Sequence, residues 1–198
     1  MLLPVAVLAA GLVLWELVVR VNDIQPYVLP SPVVVFRTLV SDWPVLSESL
    51  GVTLLTTLQG FVAAAVGGVA LALVFNQSKW LEYSLFPYAV ILQVTPVIAI
   101  APLLLIYLSQ QTAVIVCAWI VAFFPILSNT VIGLRAADPN LRDLYRLYRA
   151  TPWQRLRLLL VPSALPYFVA GLKISGGLSL IGAVTAEMVA GAAGRETG

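Results

Sequence analysis

Polar and apolar positions in this chain are sorted into blocks tens of residues long. A soluble amphipathic fold alternates them every two to four residues instead. The first block, Leu2 to Val19, is apolar apart from Glu16 and close to the roughly 20 residues that a spanning helix needs. No basic start precedes it. Trp15-Glu16-Leu17 and Arg20 stand where a small-residue cleavage site would follow, so it reads as a span and not as a signal peptide. Residues 22–49 are a polar connection. Within it Val33 to Val40 predicts a short amphipathic helix, with Ser31 as N-cap and Pro32 at its first position.

The second span falls at about 50–75, in a stretch without charge from Ser49 to Ser78. Gly60, Ala64, Gly68 and Ala72 recur there every fourth residue, a stripe that lets another backbone approach closely. After the polar turn Asn76-Gln77-Ser78-Lys79, no charge occurs from Tyr83 to Leu134. That length suits two spans, 84–108 and 112–134, divided at the polar cluster Ser109-Gln110-Gln111-Thr112. Pro87, Pro96 and Pro102 kink or interrupt the first of them, which lipid tolerates only where protein or water satisfies the freed carbonyls. A fifth span, about 167–190, follows Pro162 and Pro166. It is rich in small residues and carries Lys173 and Glu187.

Composition agrees with this division. The 198 residues are 61% hydrophobic and 10% charged, with mean hydropathy +0.99, whereas a soluble domain carries about a quarter charged residues. One cysteine, Cys117, excludes an internal disulfide, and the absence of histidine removes the commonest general base and metal ligand. A net charge of +2 gives no footing for nucleic acid. The placement of the charges is more informative than their sum. Arg135, Arg142, Arg146, Arg149, Arg155 and Arg157 crowd one loop, against Asp138 and Asp143. The positive-inside rule makes that loop cytoplasmic. Counting outward puts the Lys79 turn and the N-terminus inside, and 22–49, 109–112 and the C-terminal end outside. Asp138 before Pro139 and Thr151 before Pro152 predict capped starts for two short helices in the loop.

Intramembrane polar groups must face protein or water. Gln93 and Thr95 beside Pro96, Asn129 after Phe124-Pro125, and the acid Glu187 are therefore candidates to line a translocation path. Interhelical pairing is the alternative for each.

The spacing of the basic loop resembles the signature loop of ABC importer permeases: Glu-Ala-Ala, three residues, Gly, nine residues, Ile, one residue, Leu-Pro. Asp143-Leu144-Tyr145, Arg149, Leu159, Val161 and Pro162 stand at those positions, with Arg149 replacing the glycine between the two short helices. Ala150-Thr151-Pro152-Trp153 and Pro162-Ser163-Ala164-Leu165-Pro166 are similar to the neighbouring family stretches. Leu29-Pro30-Ser31-Pro32, Thr95 to Leu103, Phe123-Phe124-Pro125-Ile126 and Ala186-Glu187 resemble the nitrate/sulfonate/taurine-type branch.

The resemblance implies an all-α polytopic transmembrane helical bundle of the type I (MetI-like) importer permease kind, in a bacterial inner membrane. It implies that loop 135–163 docks on a cytoplasmic ATP-binding subunit through Asp143, Tyr145, Arg146, Tyr148, Arg149, Ala150, Trp153 and Pro162. An extracytoplasmic solute-binding protein and a second permease copy are the other implied partners, beside membrane lipid. ATP belongs to the partner, since this chain has no Gly-rich loop ending in Lys-Ser or Lys-Thr, and no cofactor is expected. The solute classes implied are sulfonate, nitrate, taurine or a pyrimidine or flavin vitamin precursor. The family has a sixth helix beyond the segment matching 187–198, so the sequence is expected to be a C-terminal truncation. A gradient-driven transporter would want an ionisable relay within the spans, for which only Lys173 and Glu187 are available. A membrane enzyme would want a clustered catalytic set.

Overall fold

A computed structural model describes residues 2–195, and the polar end at 196–198 lies outside them. Every regular element among the described residues is helical. The chain divides into two compact units, up to Val52 and from Thr53 onward.

In the first unit, α1 (Leu2–Val21) is apolar and almost wholly exposed along its length, as a helix solvated by lipid is. It ends in two reverse bonds, Asp23 N–H to the Arg20 carbonyl and Ile24 N–H to Val19, with Asp23 left-handed at φ 50°. Asp is among the few non-glycine residues that enter this region readily. Ser31 caps α2 (Pro32–Ser41) by accepting from Val34 N–H, with Pro32 in the first turn. The polar connection is shorter than the sequence predicts. Trp43 to Ser49 already winds as the first turns of α3 (Trp43–Gln77), because Pro44 falls in the first turn, where a missing N–H costs nothing.

In the second unit the apolar stretch after the Lys79 turn is two helices, α4 (Lys79–Val94) and α5 (Val97–Tyr107), bent by 99° at a short break. Pro96 forces the residue before it out of the helical region, and Thr95 is extended at ψ 122°. The Thr95 hydroxyl donates to the Ile91 carbonyl at 2.6 Å, and its N–H bonds the same group at 3.1 Å, so one carbonyl at the end of α4 accepts twice.

The core helix is α6 (Gln110–Arg135), where half of the apolar window is buried. Residues 53–77 of α3 and the long helix α9 (Val161–Arg195) pack on it. The α3 stripe of Gly60, Ala64, Gly68 and Ala72 is buried throughout. A methyl added at Gly60 would come within 2.7 Å of both the Ala118 side chain and the Ile115 carbonyl. From α9, a methyl at Gly182 would reach Val121 at 2.6 Å and the Cys117 carbonyl at 2.9 Å. One turn of α6, Ile115 to Ala118, is thus gripped between two glycines. Ser175, fully buried, donates to the Ala122 carbonyl at 2.7 Å. Small residues bring the backbones close and a hydroxyl fixes their register, which is how helices associate where lipid removes the hydrophobic incentive.

Between α6 and α9 lie two short elements, α7 (Pro139–Leu147) and α8 (Pro152–Arg155). A five-residue π-helical segment, Leu156–Leu160, runs from α8 into α9. Pro162 therefore does not start a new span. The wider winding lets Val161 N–H bond Leu156, the Ser163 hydroxyl donates to the Leu159 carbonyl at 2.8 Å, and the helix continues through Pro162 and Pro166. Among the described residues four helices are long and apolar enough to cross a bilayer: Leu3–Val21, Trp43–Gln77, Gln110–Arg135 and Pro152–Ala192. The bent pair makes a fifth if it is one span. This is an all-α polytopic membrane protein.

Candidate functional site

The loop joining α6 to α9 is built from local rules. Asp138 caps α7, accepting from Asn140 N–H at 2.7 Å. Thr151 and Gln154 form a reciprocal capping box at the start of α8, with bonds of 3.2 and 2.8 Å. The hinge between them is Arg149, left-handed at φ 52°. Arg149 N–H bonds the Arg146 carbonyl and Ala150 N–H bonds the Tyr145 carbonyl, each at 2.9 Å. These are the two bonds of a Schellman stop. The position that carries glycine in the signature loop is thus one that needs a left-handed residue. Arginine holds it here at a cost of about 1–2 kcal/mol.

Two anchors attach this loop to the membrane helices. Arg142 in α7 donates to the Leu134 carbonyl at 3.0 Å, closing the C-terminal end of α6. Arg135, in the last turn of α6, pairs with Glu82 in the first turn of α4. Glu82 is buried although Arg135 remains half-exposed. Sequence reasoning passed over Glu82, which lies three residues after Lys79 and 53 before its partner. An acid one turn inside an apolar helix was the available signal.

Of the loop residues singled out in the sequence, Tyr145 is half-buried against the core, and Tyr148 and Trp153 are 77% and 66% exposed. Asp143 and Arg146 form an exposed pair at 3.1 Å. Tyr145, Tyr148 and Ala150 line one hollow of about 310 Å³ together with Leu144, Gln154 and Leu158. Pro162 lies apart from it, exposed in the first turn of α9. The loop therefore presents aromatic rings on a short, doubly capped scaffold. Interface anchors have this character: large amphipathic surfaces with few rotatable bonds.

The four path candidates are not gathered at one place. Gln93 is exposed and Thr95 half-buried at the α4–α5 break. The Asn129 amide donates to the Pro125 carbonyl at 2.8 Å, where α6 meets Gly171 of α9. Both Glu187 oxygens accept from the Thr53 hydroxyl, at 3.0 and 2.9 Å, tying α9 to α3.

Residues 64–197 match the family of binding-protein-dependent transport system inner membrane components. The chain belongs to this family, the ABC importer permeases. It is 33% identical over 198 residues to the riboflavin transport system permease protein RibX of Chloroflexus aurantiacus, covering 97% of this chain and 72% of that one. It is 33% identical over 178 residues to the formylaminopyrimidine transport permease protein ThiX of Halalkalibacterium halodurans, 89% of this chain and 71% of the relative. To the nitrate import permease protein NrtB of a Synechocystis strain it is 30% identical over 206 residues, 96% and 73%. The signature-loop spacing and the α6–α9 core both lie within the matched region.

Proposed function

We propose that this chain is the membrane subunit of an ATP-driven importer, and that loop 135–163 transmits the motion of a cytoplasmic ATPase to the helices. The observation that carries the reading is the Schellman turn at Arg149 between two capped helices, which presents Tyr148 and Trp153 outward. A loop that merely set topology would need its arginines but neither the fixed turn nor exposed aromatics. The Arg142 and Arg135–Glu82 anchors give a displaced loop something to pull on: the ends of α6 and α4. Two copies would enclose one path, with the α4–α5 break at Thr95 and Pro96, beside Gln93, as the place where backbone polarity is free to meet a solute. A soluble binding protein would deliver the solute from outside, with the N-terminus inside. The relatives' names span a flavin, a pyrimidine and nitrate, which supports a small polar or anionic nutrient as the solute.

The test is a reconstituted complex of the chain with its ATPase and binding protein. Reversing Arg146 to Glu and truncating Tyr148 to Ala should abolish solute-dependent ATP hydrolysis and transport while the subunit still inserts and melts normally. Transport at the unaltered rate in that double variant would sink the coupling assignment.

A further inference from the structure

At the loop end of the second unit a cleft of about 380 Å³ is lined by Lys79, Arg135, Arg142, Arg146 and Arg155, with Phe75, Asn76 and Leu160 completing it. That volume falls within the roughly 300–1,000 Å³ of small-ligand sites. The five cations come from four separate places: the start of α4, the end of α6, α7 and α8. Two carboxylates meet them, Glu82 on Arg135 and Asp143 on Arg146. Lys79, Arg142 and Arg155 have no carboxylate within 4.0 Å among the described residues. The Nε of Arg142 is buried and has no acceptor among the described residues, although a buried donor without an acceptor is costly. Like charges assembled around a concavity repel one another unless an anion is present to share. Guanidinium forks select phosphate or carboxylate oxygens for that role.

We propose that this cleft holds the phosphate-bearing headgroup of an anionic membrane lipid. The surroundings favour a lipid over a free anion. The cleft opens where the apolar helices end, with Phe75 of α3 and Leu160 as its apolar lining. Trp80 and Tyr83, beside Lys79 on α4, are 74% and 73% exposed. Trp153 lines the adjoining hollow that shares Asn76, Arg155 and Leu160. Exposed Trp and Tyr next to a basic concavity are what the headgroup level of a bilayer selects. A bound headgroup would bridge the Lys79 turn to the loop helices, so the bilayer becomes part of the loop's support. This does not depend on the coupling role above.

The experiment is native mass spectrometry of the delipidated chain in detergent, titrated with dioleoylphosphatidylglycerol or dioleoylphosphatidylcholine. The wild type should retain one phosphatidylglycerol in preference to phosphatidylcholine. Lys79→Gln with Arg155→Gln, which breaks no hydrogen bond seen here, should weaken that retention roughly thirtyfold. Arg37→Gln with Arg157→Gln, the same charge loss outside the cleft, should leave it unchanged. Equal loss in the two double variants would mean general surface attraction and would overturn the site. Displacement of the lipid by inorganic phosphate at matched concentration would make the occupant a soluble anion. Release on adding the ATPase subunit would make it an acidic segment of that partner. Either result overturns the lipid assignment.

Discussion

The contact of α6 with α3 and α9 and the loop that leaves α6 are opposite solutions to holding a helix in place. Around Ile115 to Ala118 the grip is steric: glycines at 60 and 182 leave no room for a methyl, and Ser175 adds one buried bond. At the other end of α6 the attachment is electrostatic and local. It consists of the Glu82–Arg135 pair, the Arg142 bond to Leu134, two caps and a left-handed arginine. The first region tolerates no change of volume and has no polar choice to make. The second lies largely at the surface and is held by single polar bonds. On the proposed coupling role, the first region keeps the helices together and the second is the handle that an ATPase would pull.

The comparison is broken most severely by volume in the first region. Gly182→Leu should separate α9 from α6. Overpacking alone costs about 1–3 kcal/mol, and here the obstacle includes the Cys117 backbone carbonyl. A large fall in melting temperature and in yield from detergent checks it. An unchanged melting temperature would show that the helices are not this close. A smaller effect is expected for Glu82→Gln, which keeps the shape but removes the charge facing Arg135. A loss of about 1–2 kcal/mol follows if the charged hydrogen bond is replaced by a neutral one. It is read as a lower melting temperature at low salt, with a smaller difference at high salt. If the salt dependence is the same as in the wild type, the pair contributes nothing. The smallest effect has the opposite sign. Arg149→Gly relieves the left-handed strain of about 1–2 kcal/mol against the extra backbone entropy of glycine, about 0.5–1 kcal/mol. Stability should be equal or slightly higher, with Arg149→Val clearly lower. A stable valine variant would show that the turn is not left-handed in solution.

Much of this was legible in the sequence, for reasons specific to each element. The apolar blocks announced the spans because lipid requires long uncharged runs. The α3 stripe announced a close contact because its four small residues fall at one helical spacing. The caps at Ser31, Asp138 and Thr151 were legible because each precedes a proline, and proline suits the first turn of a helix. Which proline breaks a helix was not. Pro87, Pro102, Pro125, Pro162 and Pro166 all lie inside helices, and the break falls at Pro96, where the preceding Thr95 closes the helix end with its own hydroxyl. The spans' extra length was hidden too, since Trp43–Ser49 and Pro152–Leu160 are too polar or too proline-marked to read as helix continuing beyond the bilayer. In the loop, spacing located the turn, but that Arg149 itself adopts the glycine conformation needed coordinates. Glu82 stood out as an acid one turn inside an apolar helix, but no local pattern pairs it with Arg135, 53 residues on, and the loop's basic residues gave no sign that Lys79 joins them around one cleft.

The measurement that bears most directly on the account is solute-stimulated ATPase activity in proteoliposomes, set beside melting temperature for the same preparations. Tyr148→Ala with Trp153→Ala is compared with Gly182→Ala. The loop variant should lose most of its stimulation, roughly tenfold or more for two interface aromatics, at an unchanged melting temperature. The core variant should melt lower, while its surviving folded fraction keeps normal stimulation. A loop variant that melts normally and is stimulated as strongly as the wild type would contradict the central claim that this loop couples ATP hydrolysis to the membrane helices.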